Sequence, residues 1–367
     1  MLVGIDASRA AISGRTGTET YSLYLIREVL RQGTGHRFRL YFREADQAAL
    51  FPRDAARWEA RTIPFPRLWT HARLSWEMLT RQPQALWVPA HVLPLVRPAC
   101  TLASVHDLGY LYVPEAHRPF DRWYLHWSTR FNCRAASRVL ALSAATRDDL
   151  MRAYGVLAER VTVVYPGVRP GMGREPEGAV AEARRRYGLD GPYFLYVGTL
   201  QPRKNLLRLL QAFAQARGAG AASGALLVLA GKDGGLLPAL QAEAQRMGLG
   251  QAVRFPGYVD DADLSALYSG ALAFVFPSLY EGFGLPIVEA MTCGAPVLCS
   301  GTTGCREAAG DAACLVDPLD VAAMTAGLSA LASDAGLRQA LSAKGSLQAS
   351  RFSWAKAAQQ VLAALEG

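Results

Sequence analysis

FVFPSLYEGFGLPIVEAMTCGAPVLCS, residues 274–300, compresses a strand, a glycine turn and a helix start into one stretch, and the rest of the chain can be placed around it. Ala273 to Phe276 is a short apolar run bounded by Pro277 and Ser278, the pattern of a strand buried in a parallel sheet. Gly282 and Gly284 free the backbone to approach a ligand closely. Pro286 suits the first position of a helix that continues through Ile287, Val288, Glu289, Ala290 and Met291. Unpaired amides and the positive end of that helix then favour an anion at the turn, with no metal required.

Two carboxylates frame the turn, Glu281 before it and Glu289 inside the helix. An anion site that also carries carboxylates suits a ligand with both phosphates and hydroxyls, and a nucleotide sugar has both. Taken separately, Glu281 would merely end a strand and Glu289 would sit on a solvated helix face. Taken with the intervening Glu-Gly-Phe-Gly-Leu-Pro, the pair resembles the E-x7-E donor element of GT-B glycosyltransferases, specifically the retaining family 4 group. His106-Asp107-Leu108 followed by Thr199-Leu-Gln-Pro-Arg-Lys-Asn205 is similar to segments of bacterial mannosyl- and related transferases.

A chain of 367 residues has the length of about two domains, and 51 % hydrophobic with 19 % charged residues fits a packed protein rather than a disordered one. No apolar run approaches the roughly 18 residues that span a bilayer. MLVGIDAS, residues 1–8, carries no basic leader or cleavage pattern and reads as a first buried strand. The six cysteines form no C-x-x-C pair and no zinc spacing with His, so a structural metal is not expected and reduced thiols in a cytoplasmic compartment are. The net charge of +8 is uneven: through Met172 there are 23 Arg and no Lys against 14 Asp and Glu, or +9, which leaves −1 for the remainder. That basic half suits an anionic acceptor or peripheral contact with an acidic membrane face, although an Arg-rich composition alone would also produce it. No basic stripe interleaved with aromatics and no DNA-binding motif points to nucleic acid.

The first half reads as alternating strands and helices. Ser13-Gly-Arg-Thr-Gly-Thr-Glu-Thr lies between the first strand and a helix carrying Leu23, Ile26, Val29 and Leu30 on one face. Gly14 and Gly17 could admit a phosphate, and Thr16 or Thr18 could cap the helix. The loop misses the dinucleotide fingerprint, which argues against NAD or FAD. It resembles instead the Gly-Gly-x-Glu loop of the same glycosyltransferases, here Thr16-Gly17-Thr18-Glu19, which implies that Gly17 borders the donor. The Arg-rich, aromatic stretch through Trp58, Trp69 and Trp76 is expected on the acceptor side. His91, His117 and His126 read as structural histidines. His106 differs because it ends the strand Thr101–Val105, and ligands collect outside the carboxyl ends of such strands. A family His occupies this position, beside the transferred sugar. Residues 118–134 read as an aromatic-rich helix, in the core or along a cleft wall.

Pro and Gly accumulate from Tyr165 to Gly178, the clearest punctuation in the chain. Strand–helix alternation on both sides gives an α/β chain of two parallel-sheet domains. The resemblance makes these the two Rossmann-like domains of a GT-B fold facing a central cleft, with residues 1–171 on the acceptor side, 172–352 binding the donor, and 353–367 as a helix packing back toward the first domain. In the second half Arg203 and Lys204 sit at a helix start, where cations are unfavourable unless an anion is bound. Lys204 matches the family Lys, whereas Thr199, after Gly198, replaces the usual Arg, so that Arg203 would supply the second cation.

The resemblance spans nearly the whole chain through five ordered segments. It implies an enzyme that moves a hexose, with retained anomeric configuration, from a nucleoside-diphosphate sugar (GDP- or UDP-linked, GDP-mannose first) to a hydroxyl of a glycan or lipid-linked acceptor in polysaccharide synthesis. Arg203, Lys204 and the amides from Gly282 through Phe283 and Gly284 to Leu285 would stabilise the leaving diphosphate. Glu289 would hold the ribose, Glu281 would bind sugar hydroxyls or balance an oxocarbenium-like state, and His106 would hold the sugar or assist the incoming hydroxyl. A nucleotide-sugar sensor without turnover and a GT-B epimerase keep the same cleft and are separated only by product analysis.

Overall fold

Apolar strands and amphipathic helices pack into two units, Met1–Leu111 with His117–Arg169 and Ser353–Gly367 in one, and Tyr112–Ala116 with Pro170–Phe352 in the other. The computed structural model describes residues 1–10, 17–33, 35–52, 54, 56–65, 68–90 and 92–366. Ser13, Gly14, Thr16 and His91 lie outside the described residues.

In the first unit β1 (Leu2–Asp6), β2 (Arg37–Phe42), β3 (Trp58–Thr62), β4 (Ala85–Val88), β5 (Cys100–Val105), β6 (Arg138–Ala141) and β7 (Val161–Val163) form a parallel sheet in the order β3-β2-β1-β4-β5-β6-β7. Ile5 of β1 lies level with Leu40 on one side and Trp87 on the other. All three are fully buried, as expected for a sheet covered on both faces. In the second unit β8 (Tyr193–Val197), β9 (Leu226–Ala230), β10 (Val253–Gly257), β11 (Ala273–Phe276), β12 (Val297–Ser300) and β13 (Cys314–Val316) follow the order β10-β9-β8-β11-β12-β13, again parallel. Each sheet starts at an inner strand, winds outward, then returns to the other side of that strand. The reversal falls between β1 and β4 in one sheet and between β8 and β11 in the other. This is doubly wound Rossmann topology, repeated, and it sets a crevice at the carboxyl ends of each inner pair.

The structure also shows elements that the sequence did not, and corrects two expectations, the extent of the punctuated segment and the core role of the aromatic helix. The Arg-rich stretch before residue 85 contains β3 and a helix, Ser75–Thr80. Its alternation is hidden because edge-strand charges are neutralised laterally, Arg39 on Glu59 at 2.6 Å and Arg61 on Glu77 at 3.0 Å. The punctuated segment ends earlier than its glycines suggest, since a helix runs Glu177–Arg186 through Gly178. The aromatic helix Pro119–Ala135 is not core through its aromatics. Its buried residues are Ser128, Thr129, Asn132 and Cys133, and the Asn132 side-chain oxygen, Oδ1, accepts from the Leu93 amide at 2.9 Å. Phe120, Trp123 and Trp127 face solvent instead. All six cysteines are free thiols. Among the described residues no helix is long and apolar enough to cross a membrane.

Candidate active site

At the switch point of the second sheet, the loop after β8 and the loop after β11 leave adjacent central strands and are stitched together by polar contacts. The Leu279 amide donates to the Arg203 carbonyl at 2.9 Å, and the Arg203 guanidinium donates to the Tyr280 carbonyl at 3.1 Å. Asn205 closes the seam, its side-chain amide reaching the carbonyls of Pro277 at 3.1 Å and Pro318 at 2.6 Å. Asn205 caps the Leu206–Gly218 helix in the left-handed region, φ 62°, where Asn is tolerated better than most residues.

The stitching delivers two cations to one carboxylate. Arg203 Nη1 lies 2.9 Å and Lys204 Nζ 2.5 Å from Glu281 Oε1. Lys204 is 6 % and Glu281 8 % exposed, and the ammonium sits 4.8 Å above the centre of the Phe276 ring. Burial pushes the Glu281 carboxyl up, but the adjacent Arg203 and Lys204 charges outweigh it and hold the group down at about 2. Burial, reinforced by Arg203, pushes Lys204 below the usual lysine range against the pull of Glu281. Two cations against one carboxylate give the cluster a formal charge of +1, which favours a further anion beside it.

Beside this cluster Gly284, at φ 98°, caps the Leu285–Thr292 helix. Pro286 therefore takes the second helical position rather than the first. Phe283 is buried edge-on against Phe352, ring centres 5.1 Å apart. The short helix Thr303–Ala309 braces the turn from behind. The Gly304 amide donates to the Glu281 carbonyl at 3.1 Å, and the Glu281 amide donates to Thr303 Oγ1 at 3.3 Å. A Cβ on Gly304 would stand 2.4 Å from the Gly282 carbonyl oxygen, so only glycine permits this approach. Glu289 is 3 % exposed, which removes the reading of a solvated helix face. Gly198 and Thr199 follow β8, and Gly198 comes so near Gly231 that a Cβ on Gly231 would lie 1.9 Å from the Gly198 oxygen. Tyr280, 2 % exposed, stacks on Tyr112 of the same unit with ring centres 4.8 Å apart.

Gly17 and His106 belong to the first unit. Gly17 opens the Gly17–Gln32 helix and is exposed, with open space where a Cβ would stand. His106 follows β5, and its Nε2 lies 2.7 Å from the Pro89 carbonyl at the end of β4. A carbonyl can only accept, so Nε2 carries the proton and Nδ1 is left as the acceptor. Burial pushes the imidazole below its ordinary pKa, against opposing effects of the Pro89 carbonyl and Asp107, which favours the neutral ring. Tyr21 packs edge-on at 4.9 Å.

Sequence reasoning did not single out Asn205, Thr303 or Tyr280. An Asn directly before an apolar helix start is a usable signal for a left-handed cap. Thr303, at φ 51°, carries none, because nothing in its neighbours requires that conformation. Among the described residues no group of three or more His, Cys, Asp or Glu side chains is disposed to hold a metal ion.

Comparison with known proteins follows the same division of the chain. Residues 15–171 match the family described as Glycosyltransferase Family 4, and residues 181–348 match Glycosyl transferases group 1. The O-antigen chain mannosyltransferase B of Escherichia coli is 35 % identical over 263 residues, 71 % of this chain and 68 % of that protein. The serotype-specific mannosyltransferase WbdA of Escherichia coli is 29 % identical over 265 residues, 70 % of this chain but only 32 % of its own length. Among solved structures, Anabaena Alr3699/HepE in complex with UDP-glucose superposes with a TM-score of 0.77 at 19 % identity, covering 100 % of this chain and 99 % of that one, a likeness of fold. With both sheets doubly wound, both halves matched and a relative of this identity, the chain belongs to the family 4 group of GT-B glycosyltransferases.

Proposed function

We propose that this glycosyltransferase moves a hexose from a nucleoside-diphosphate sugar to a hydroxyl of a glycan or lipid-linked acceptor, with retention at the anomeric carbon. GDP-mannose is the first choice of donor. The observation that carries the reading is the buried cluster of Arg203, Lys204 and Glu281 beside the Gly284-capped helix start. Its two cations against one carboxylate and the helix start at Gly284 suit a pyrophosphate, and the names of the mannosyltransferase relatives support the choice of sugar.

In this reading the second unit is the donor side. The diphosphate accepts hydrogen bonds from Lys204, Arg203 and the backbone between Gly282 and Leu285, and Gly198 and Thr199 line the same crevice. As the glycosidic bond lengthens, these donors take up the charge developing on the leaving phosphate. Glu289 holds the ribose. Glu281, held as an anion by Arg203 and Lys204, serves as an electrostatic partner of the oxocarbenium-like sugar. The first unit carries Gly17 and the acceptor, with His106 Nδ1 accepting from a sugar or incoming hydroxyl. The basic first half fits contact with an acidic membrane at the cytoplasmic face.

A calorimetric screen of UDP, GDP, ADP and dTDP sugars, followed by product analysis with polysaccharide-type acceptors, tests the proposal. Tight binding of GDP-mannose and an α-linked product are expected. Donor binding without transfer to any acceptor would replace it by a sensor, and rearrangement of donor alone by an epimerase.

A further inference from the structure

The helix Pro119–Ala135 is built inside out. Its protein-facing side is Ser128, Thr129, Asn132 and Cys133, while Phe120, Trp123 and Trp127, spaced i, i+3, i+7, are 70, 60 and 37 % exposed. Burying hydroxyls and an amide while leaving three large aromatics in water is the reverse of what a helix on a soluble surface gains from. The neighbouring segment repeats the pattern. Leu68, Trp76 and Leu79 are 70, 61 and 62 % exposed, and Leu68 is held in the left-handed region at φ 53°. The two segments are joined: His71 Nε2 meets the Tyr124 hydroxyl at 3.0 Å and packs against Trp127 at 5.7 Å. The loop carrying exposed Leu95 is tied to both, through its amide on Ser75 Oγ at 2.9 Å and through Arg97 stacked 5.2 Å above Phe131. Exposed Arg130 and Arg134 follow Trp127 at i+3 and i+7, along the same side of the helix.

We infer that this aromatic ridge, built from residues 68–79, Leu95 and the outer face of the Pro119–Ala135 helix, seats the first unit on the surface of an anionic lipid bilayer. The partner is argued from the composition of the ridge. Trp and Phe set among Arg, without an aliphatic stretch long enough to enter the hydrocarbon, match the headgroup level of a membrane, where amphipathic rings and guanidinium groups are both favoured. Charge agrees, because through Met172 the chain carries 23 Arg against 14 Asp and Glu. A protein partner would be met more readily by a flat apolar patch with a polar rim. The inference rests on the membrane contact proposed above, which stood on charge alone, and adds the apolar element that gives the contact its location and orientation.

Flotation of the full chain with vesicles of phosphatidylcholine, and of phosphatidylcholine with about one third phosphatidylglycerol, tests it. The wild type is expected to float with the anionic vesicles and to keep part of its binding as salt rises. The triple variant Phe120→Ser, Trp123→Ser, Trp127→Ser is expected to lose about tenfold or more at every salt concentration, while Arg130→Gln with Arg134→Gln flattens the salt dependence. A triple variant that floats like the wild type, with all binding abolished by salt, would overturn the ridge and leave a purely electrostatic contact. A wild type that stays off anionic vesicles but self-associates in solution, with the triple variant monomeric by light scattering, would overturn it in favour of a protein interface. Nucleotide binding by calorimetry is expected unchanged in both variants. Its absence in the wild type would defeat the functional proposal without altering the flotation result.

Discussion

Lys204 and Glu281 meet where neither can be replaced without stranding the other. Lys204→Ala leaves Glu281 with Arg203 alone, and Glu281→Ala leaves two like charges facing each other. Breaking a buried pair costs about 3–5 kcal/mol when nothing else compensates; Lys204→Ala costs less because Arg203 still pairs with Glu281, whereas Glu281→Ala, which leaves two cations together, costs the full amount. Each variant is therefore expected to stay folded, with a lower melting temperature, and to lose about 10²-fold or more in transfer. Circular dichroism and product formation check the two halves of that statement, and full activity in both variants would remove the chemical assignment. The same carboxylate makes stability depend on pH. Its pKa is depressed in the folded state to about 2, from an ordinary 4.5, so its contribution is complete above 4.5 and disappears as pH falls through about 2. The depression corresponds to about 3 kcal/mol. Glu281→Gln is expected to be the less stable protein at neutral pH and to lose that part of the acid slope, as read from urea unfolding at stepped pH. An unchanged slope would mean that the triad does not hold the carboxylate down.

Between elements, the close passage of the Thr303–Ala309 helix behind the Glu281 turn is set by one missing methyl. Gly304→Ala is expected to cost about 1–3 kcal/mol and to weaken nucleotide binding, because the new Cβ must push the helix off the Gly282 carbonyl. Gly178→Ala is the control. That glycine lies inside the Glu177–Arg186 helix with open space around it, so alanine should be neutral or stabilise by up to about 1 kcal/mol. Equal effects of the two in thermal unfolding and calorimetry would refute the steric argument. The contrast also marks how far the sequence could be read. β11 was legible to the residue because Ala273–Phe276 is uniformly apolar and ends at proline. The Trp58–Thr62 strand was not, since its outward charges find lateral partners that no local window contains. The site residues could be named through the family resemblance, but their mutual pairing could not. Glu281 and Lys204 are 77 positions apart, and only the switch-point crossover brings them together.

For the whole molecule, the last helix belongs with the first. Trp354 is 8 % exposed, its indole N–H donates to the Val168 carbonyl at 2.8 Å, and its ring packs 5.9 Å from both Tyr21 and Tyr24. Gly167 lies so close that a Cβ there would stand 2.3 Å from the Trp354 amide nitrogen. Trp354→Ala is expected to destabilise the first unit by about 3–5 kcal/mol while nucleotide still binds the second, giving a separated low-temperature transition in calorimetry. One unshifted transition would mean that this indole does not anchor the first unit. The chain leaves that unit after Arg169 and re-enters it at Ser353, about 180 residues later. During translation, then, the amino-terminal sheet emerges early but waits for its closing helix while the other lobe is made, roughly ten to forty seconds at ordinary elongation rates. Throughout that interval the pocket reserved for Trp354 stands open on a nascent chain, a place where a chaperone could bind and a premature stop codon would leave permanent damage.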